Sequence, residues 1–194
     1  MAAAPFSIDV KSQLLDRARV ALVVVDLQYR LLSQMFEPER VMANGALLLR
    51  VAEVLHLPVI LTTQYAAGLG GLHPEIVRRA NGAKSFDKVN FGCFEDPDFT
   101  PYLQTRAPHA NTLLLAGVES HICVMQTALG AITAGYLVHV AADAVSSRKA
   151  ANWQLGLERM QRAGATITST EAAVYELLRR AGTPEFKALL PYLK

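Results

Sequence analysis

The sequence predicts a three-layer α/β fold, a mainly parallel β-sheet with helices on both faces. Three observations carry that expectation. Apolar, β-branched runs such as Arg19-Val-Ala-Leu-Val-Val-Val-Asp26 lack polar alternation, the pattern of a strand buried on both sides. Such runs alternate with segments of helical spacing, which implies right-handed βαβ crossovers between parallel strands. Hydrophobic residues make up 52% of 194 residues and charged residues 19%, enough to bury both faces of a sheet in one domain.

Residues 1–18 are expected to form an ordered but loosely specified N-terminal tail, in which Asp9, Lys11, Asp16 and Arg17 mix with apolar residues. Residues 19–194 form the single domain. The strand Arg19–Asp26 ends on a carboxylate. Glu37-Pro-Glu opens a helix that continues through Val54, with acids in the first turn, where they suit the helix dipole. Leu57–Thr63 is a second buried strand. The loop Gln64–Leu72 holds three glycines, and His73-Pro-Glu starts a short helix. Lys84–Phe94 is weakly patterned and contains a short extended segment, and Pro97–Arg106 is a brief helix. Asn111–Gly117 is the next strand, followed by a helix over Ile122–Ala134, a strand over Tyr136–Ala142 and a helix over Lys149–Arg162. A short strand at Thr166–Thr168 and a helix over Glu171–Arg180 close the pattern.

Nineteen basic and 17 acidic residues leave a net charge of +2, spread without a Lys/Arg stripe, which argues against nucleic acid as a partner. No apolar run approaches the roughly 20 residues that a membrane-spanning helix needs. The first residues lack the patterns of a secretory signal or a mitochondrial presequence, so a cytoplasmic location is expected, with a mitochondrial one left open. The two cysteines, Cys93 and Cys123, lack both a disulfide framework and metal-site spacing. Neither a cofactor nor a metal is expected. The apolar composition also suits a homo-oligomer.

Ligands of parallel sheets bind beyond the carboxyl ends of the strands. Asp26 closes the first strand, Lys88 follows the weak third segment, and Cys123 opens the helix after Asn111–Gly117. A cysteine at a helix N-terminus can have its pKa lowered from about 8.5 by one to several units, which would make it a nucleophile near neutral pH. Asp26 could accept its proton and Lys88 could orient the pair. Taken singly, a strand-terminal Asp is as readily a cap, a Lys a solvated charge, and a Cys a small core residue.

Val23-Val-Val-Asp-Leu-Gln28, Lys88-Val-Asn-Phe-Gly-Cys-Phe94 and Ala116-Gly-Val-Glu-Ser-His-Ile-Cys-Val124 together resemble the three signature segments of the isochorismatase-like cysteine hydrolases, in the same order. The resemblance spans about residues 19–180. It implies a six-stranded parallel sheet and a catalytic triad of Asp26, Lys88 and Cys123. It also implies a cis peptide between Val118 and Glu119, with the backbone N–H groups of Glu119 and Cys123 forming an oxyanion hole. Nicotinamidases of the superfamily carry an Asp-x-His metal motif after the second strand, where this chain has Thr62-Thr-Gln-Tyr-Ala66. His73, next to a proline, reads as a turn or cap residue rather than a zinc ligand.

The expected activity is hydrolysis of a C–N or related bond in a small molecule through a covalent thioester. The alternative is a non-catalytic binding or scaffold protein of the same fold acting through its oligomer. Gln28, Gln64 and Phe91 are the candidate substrate-binding residues, and Tyr65 and Phe94 either wall the pocket or belong to the core. Cys93 reads as packing, His121 as a loop or interface residue, Asp143 and Ser146-Ser147 as a turn and cap, and Trp153 as a residue at a subunit boundary. The glycines Gly68-Leu-Gly-Gly71 lack the strand-loop-helix context of a phosphate cradle.

Overall fold

A computed structural model of the chain describes residues 14–80 and 83–193. Six parallel strands form one sheet: β1 (Val20–Val25), β2 (Val59–Gln64), β3 (Ser85–Lys88), β4 (Thr112–Val118), β5 (Leu137–Ser146) and β6 (Thr166–Thr168), in the spatial order β3-β2-β1-β4-β5-β6. The helices are α1 (Tyr29–Leu32), α2 (Pro38–Leu55), α3 (Ala66–Leu69), α4 (Pro74–Arg79), α5 (Phe99–Arg106), α6 (Cys123–Thr133), α7 (Ala150–Arg162), α8 (Thr170–Leu178) and α9 (Pro184–Leu189).

The two-sided burial of β1 follows from its sequence. Val20, Leu22 and Val24 point into a core shared with α2, α8 and α9, while Ala21, Val23 and Val25 point into a second core shared with α5, α6 and α7. Every residue of β1 is buried, and each such valine or leucine contributes about 1.5–3 kcal/mol relative to exposure.

The chain order reverses between β1 and β4: β2 and β3 lie to one side of this pair, β5 and β6 to the other. The carboxyl ends of β1 and β4 are thus the switch point at which doubly wound sheets bind ligands, and Asp26 and Cys123 lie just beyond these two strands. Gly117 makes the close approach possible: its φ is +120°, and an added Cβ would fall on the backbone carbonyl of Val25.

Several local expectations shift. The strand expected to stop at Ala142 runs on to Ser146, because after a register shift between Leu115 and Gly117 the ladder to β4 resumes at Val145 and Ser146. The short helices α1, α3 and α9 lie in segments with too few residues to show a period. Of the expected N-terminal tail, residues 1–13, with Asp9 and Lys11, lie outside the described residues. Leu15 is fully buried, its N–H donated to Glu176 at 2.9 Å and its carbonyl accepting from Arg179 at 2.8 Å.

Candidate active site

Each expected triad residue is delivered by the end of a strand or the start of a helix. Asp26 follows β1 with φ +51° and is fully buried. Its Oδ1 accepts from the Thr62 hydroxyl at 2.7 Å and its Oδ2 from Lys88 Nζ at 2.7 Å. Lys88 is the last residue of β3, paired in register with Gln64. Its ammonium is buried with Asp26 as a salt bridge whose side chains are both 0% exposed. Such a pair is maintained by its hydrogen bonds, since taking either charge out of water alone costs several kcal/mol.

Gln64 joins the ion pair to the cysteine. Its Oε1 accepts from Lys88 Nζ at 2.8 Å and stands 3.9 Å from Cys123 Sγ as the acceptor of the thiol. The amide is oriented by chemistry: its Nε2 donates to the Val89 carbonyl at 2.6 Å, so the oxygen must face the ammonium. Cys123 is the first residue of α6 and 7% exposed. The expectation of a lowered thiol pKa is reversed in this resting site. Burial, and then the negative charge of Asp26, push the Cys123 thiol up to about 12 against the opposing pull of Lys88.

The turn between β4 and α6 is held from several sides. The Val118–Glu119 peptide is cis. Ser120 donates its N–H to the Ser146 carbonyl at 2.7 Å, and its hydroxyl is 2.7 Å from that of Ser147. Glu119 Oε2 accepts from Arg148 N and Nε, both at 3.1 Å, and its carbonyl accepts from the N–H groups of Ile122 and Val124. Among the described residues, the N–H groups of Glu119 and Cys123 have no backbone acceptor.

The candidate substrate contacts separate. Gln28 is fully buried; its Oε1 accepts from Gln64 N at 2.8 Å, and its Nε2 donates to the carbonyls of Gln64 at 3.1 Å and Gly70 at 2.6 Å. Its amide is consumed in clamping the β2 end to the loop, which leaves it no face for a substrate. Gln64 faces Lys88 and Cys123 as above. Phe91 is 54% exposed on the loop after β3, Tyr65 is exposed just after β2, and Tyr29 is exposed at the start of α1, all at the carboxyl edge. Phe94 instead packs on Phe99 and Tyr136 in the core.

The remaining residues keep to structural duties. His73 caps α4, its Nδ1 accepting from Glu75 N at 3.2 Å, and stacks on Tyr29. Glu75 pairs with Arg78 and Arg79. His121 lies between the Ser147 hydroxyl at 2.9 Å and Asn152 at 3.3 Å. Cys93 is buried, its N–H bonded to Thr127. Asp143 bonds the N–H and hydroxyl of Thr170 at the start of α8. Trp153 donates to the Ala142 carbonyl, under the guanidinium of Arg40. Sequence reasoning missed Thr62 as a partner of Asp26; its position on a buried strand, two residues before Gln64, was the available signal.

The isochorismatase domain family profile matches residues 20–172, the whole of β1 through the start of α8. The chain belongs to the isochorismatase family. It is 38% identical to the secreted isochorismatase effector Isc1 of Phytophthora sojae over 89% of this chain and 83% of that protein. Among solved structures it resembles the MAR1 ribonuclease of Caenorhabditis elegans, with a TM-score of 0.86, 30% identity and coverage of 93% and 92% of the two chains. The YcaC gene product of Escherichia coli, described as an octameric hydrolase of unknown specificity, superposes with a TM-score of 0.85 at 29% identity over 92% and 90% of the chains. YcaC of Pseudomonas aeruginosa, solved with covalent acrylamide, gives 0.84 at 29% identity over 92% and 91%. Within the family the chain has the hydrolase fold, and its six-stranded parallel architecture is that of these neighbours.

Proposed function

We propose that this isochorismatase-family protein is a hydrolase that uses Cys123 as a nucleophile on a C–N or related bond of a small molecule. The observation that carries the reading is the continuous contact from Thr62 through Asp26, Lys88 and Gln64 to Cys123, beside two unpartnered N–H groups. Covalent acrylamide in the Pseudomonas relative supports a reactive nucleophile in this fold.

The raised thiol pKa assigns the steps. Cys123 rests as a neutral thiol. As Sγ forms a bond to the substrate carbonyl carbon, its proton passes to the Asp26 carboxylate and the carbonyl π pair moves onto oxygen, held by the Glu119 and Cys123 N–H groups. The oxyanion collapses, the C–N bond breaks, and the Asp26 proton goes to the leaving nitrogen. Asp26 then takes a proton from water as its oxygen attacks the thioester, and the acid leaves as Sγ recovers the proton. Lys88 holds Asp26 in place throughout. Exposed Phe91 and Tyr65 supply apolar walls for the substrate.

The protein acts without a cofactor, in the cytoplasm, and as a homo-oligomer like the octameric Escherichia relative. The ribonuclease activity named for the nematode relative calls for cations along a phosphate backbone. At this site Lys88 is bonded to Asp26 and Arg148 to Glu119, which favours a small substrate. Turnover of a panel of small amides and imides, lost in Cys123→Ala, is the expected result. Equal turnover in Cys123→Ala overturns the nucleophile, and a correctly folded protein inert toward the whole panel and toward acrylamide leaves the scaffold role in its place.

A further inference from the structure

Gln64 is held more tightly than a substrate contact requires. The Gln28 amide grips both its N–H and its carbonyl, and the Val89 carbonyl anchors its side-chain nitrogen. One oxygen, Oε1, is thereby fixed 2.8 Å from Lys88 Nζ and 3.9 Å from Cys123 Sγ. An ammonium has three donors; Asp26 takes one and Gln64 draws a second. The same oxygen is an acceptor 3.9 Å from the thiol, which the Asp26 carboxylate also accepts from, and a hydrogen bond made by the neutral thiol disfavours its ionised form.

We infer that Gln64 is a positioning residue that keeps Cys123 protonated in the resting site by accepting from both its thiol and the Lys88 ammonium. The inference rests on Cys123 being the nucleophile. The charged or titratable groups that act on the sulfur are Asp26 at the end of β1, Lys88 at the end of β3 and Cys93 in the segment after β3, and the adjoining turn carries His121 and the Glu119–Arg148 pair. Gln64 is the neutral member whose replacement changes the competition between Asp26 and Lys88 for the sulfur. Without its oxygen, a Lys88 N–H is released toward Sγ and the thiolate gains.

The test is the rate of acrylamide addition to Cys123 from pH 6 to 10, followed by peptide mass to separate Cys123 from buried Cys93, with a melting curve for each variant. In the wild type the rate climbs through pH 9 without a plateau. In Gln64→Met and in the shorter Gln64→Asn, which withdraws the oxygen, addition at pH 8 is about tenfold faster and the profile moves to lower pH, one unit of pKa being a factor of ten in thiolate. In Gln64→Glu, which keeps the Gln28 grip on the backbone, gives up the donor to the Val89 carbonyl and adds a negative charge beside the sulfur, addition slows and the profile moves up. A residue that served only packing or only substrate contact leaves all three profiles on that of the wild type, which overturns the inference; so does a shift of one sign in every variant. Absence of addition to wild-type Cys123 overturns the nucleophile itself, a different result from unmoved variants.

Discussion

Asp26 is the countercharge of Lys88 and, in the proposed mechanism, the proton acceptor, and a single substitution removes both. In Asp26→Asn the amide cannot accept the thiol proton, and turnover of any substrate found is expected to fall on the order of 10²–10⁴-fold. The same change leaves the Lys88 ammonium buried without its countercharge. Breaking a buried pair from one side costs about 3–5 kcal/mol, and for a chain of this length the Tm is expected to drop on the order of 10 °C. Replacing both residues together, as Asp26→Asn with Lys88→Met, should recover part of that stability and none of the turnover, which calorimetry and a kinetic assay check side by side.

At the scale of elements, the turn carrying Cys123 depends on how closely α7 approaches it. An added Cβ at Gly156 would lie 2.6 Å from the Ser120 carbonyl oxygen and 2.8 Å from the His121 nitrogen, both backbone atoms with little freedom to move. Gly156→Ala is therefore expected to displace the Glu119–Ile122 turn, lowering stability by about 1–3 kcal/mol as overpacking does and lowering turnover more than stability predicts. Gly71→Ala is the comparison: nothing lies within 4 Å of its Cβ, and its unfolding midpoint should stay within about 0.5 kcal/mol of the wild type.

For the whole molecule, two features link distant parts of the chain. Leu15 contributes a fully buried side chain to the core shared with α2, α8 and α9, and its backbone is gripped by Glu176 and Arg179. Leu15→Ala should cost about 2–5 kcal/mol in denaturant unfolding. His139, the third residue of β5, is 2% exposed, and among the described residues its Nδ1 has no hydrogen-bond partner. Burial lowers its pKa below the ordinary 6.5, against the opposing charge of Glu176. Below pH 6.5 the unfolded chain therefore binds more protons at this residue than the folded one, so its contribution is complete above 6.5 and is lost as the pH falls. Urea unfolding across pH 5–8 should show a steeper acid decline in the wild type than in His139→Leu.

The order of strands and helices and the location of Asp26, Lys88 and Cys123 at element ends were determined by the sequence alone. Unbroken apolar runs, helical spacing and a glycine before the turn are local signals, read without knowing what packs where. The adjacency of β1 and β4, which brings Asp26 and Cys123 to one edge of the sheet, is a non-local pairing that no period in the chain records. Short helices such as α1 and α9 escaped because a turn or two shows no periodicity. The duties of Gln28 and Gln64 were equally hidden: a glutamine at a strand end reads as a free hydrogen-bonding group until the surrounding carbonyls and the Lys88 ammonium are placed around it. The Cys123 thiol makes the division plainest. Its place at a helix start is local and argued for a lowered pKa, whereas burial and the nearby Asp26 carboxylate, which only the packed tertiary structure supplies, push it up to about 12 against the pull of Lys88.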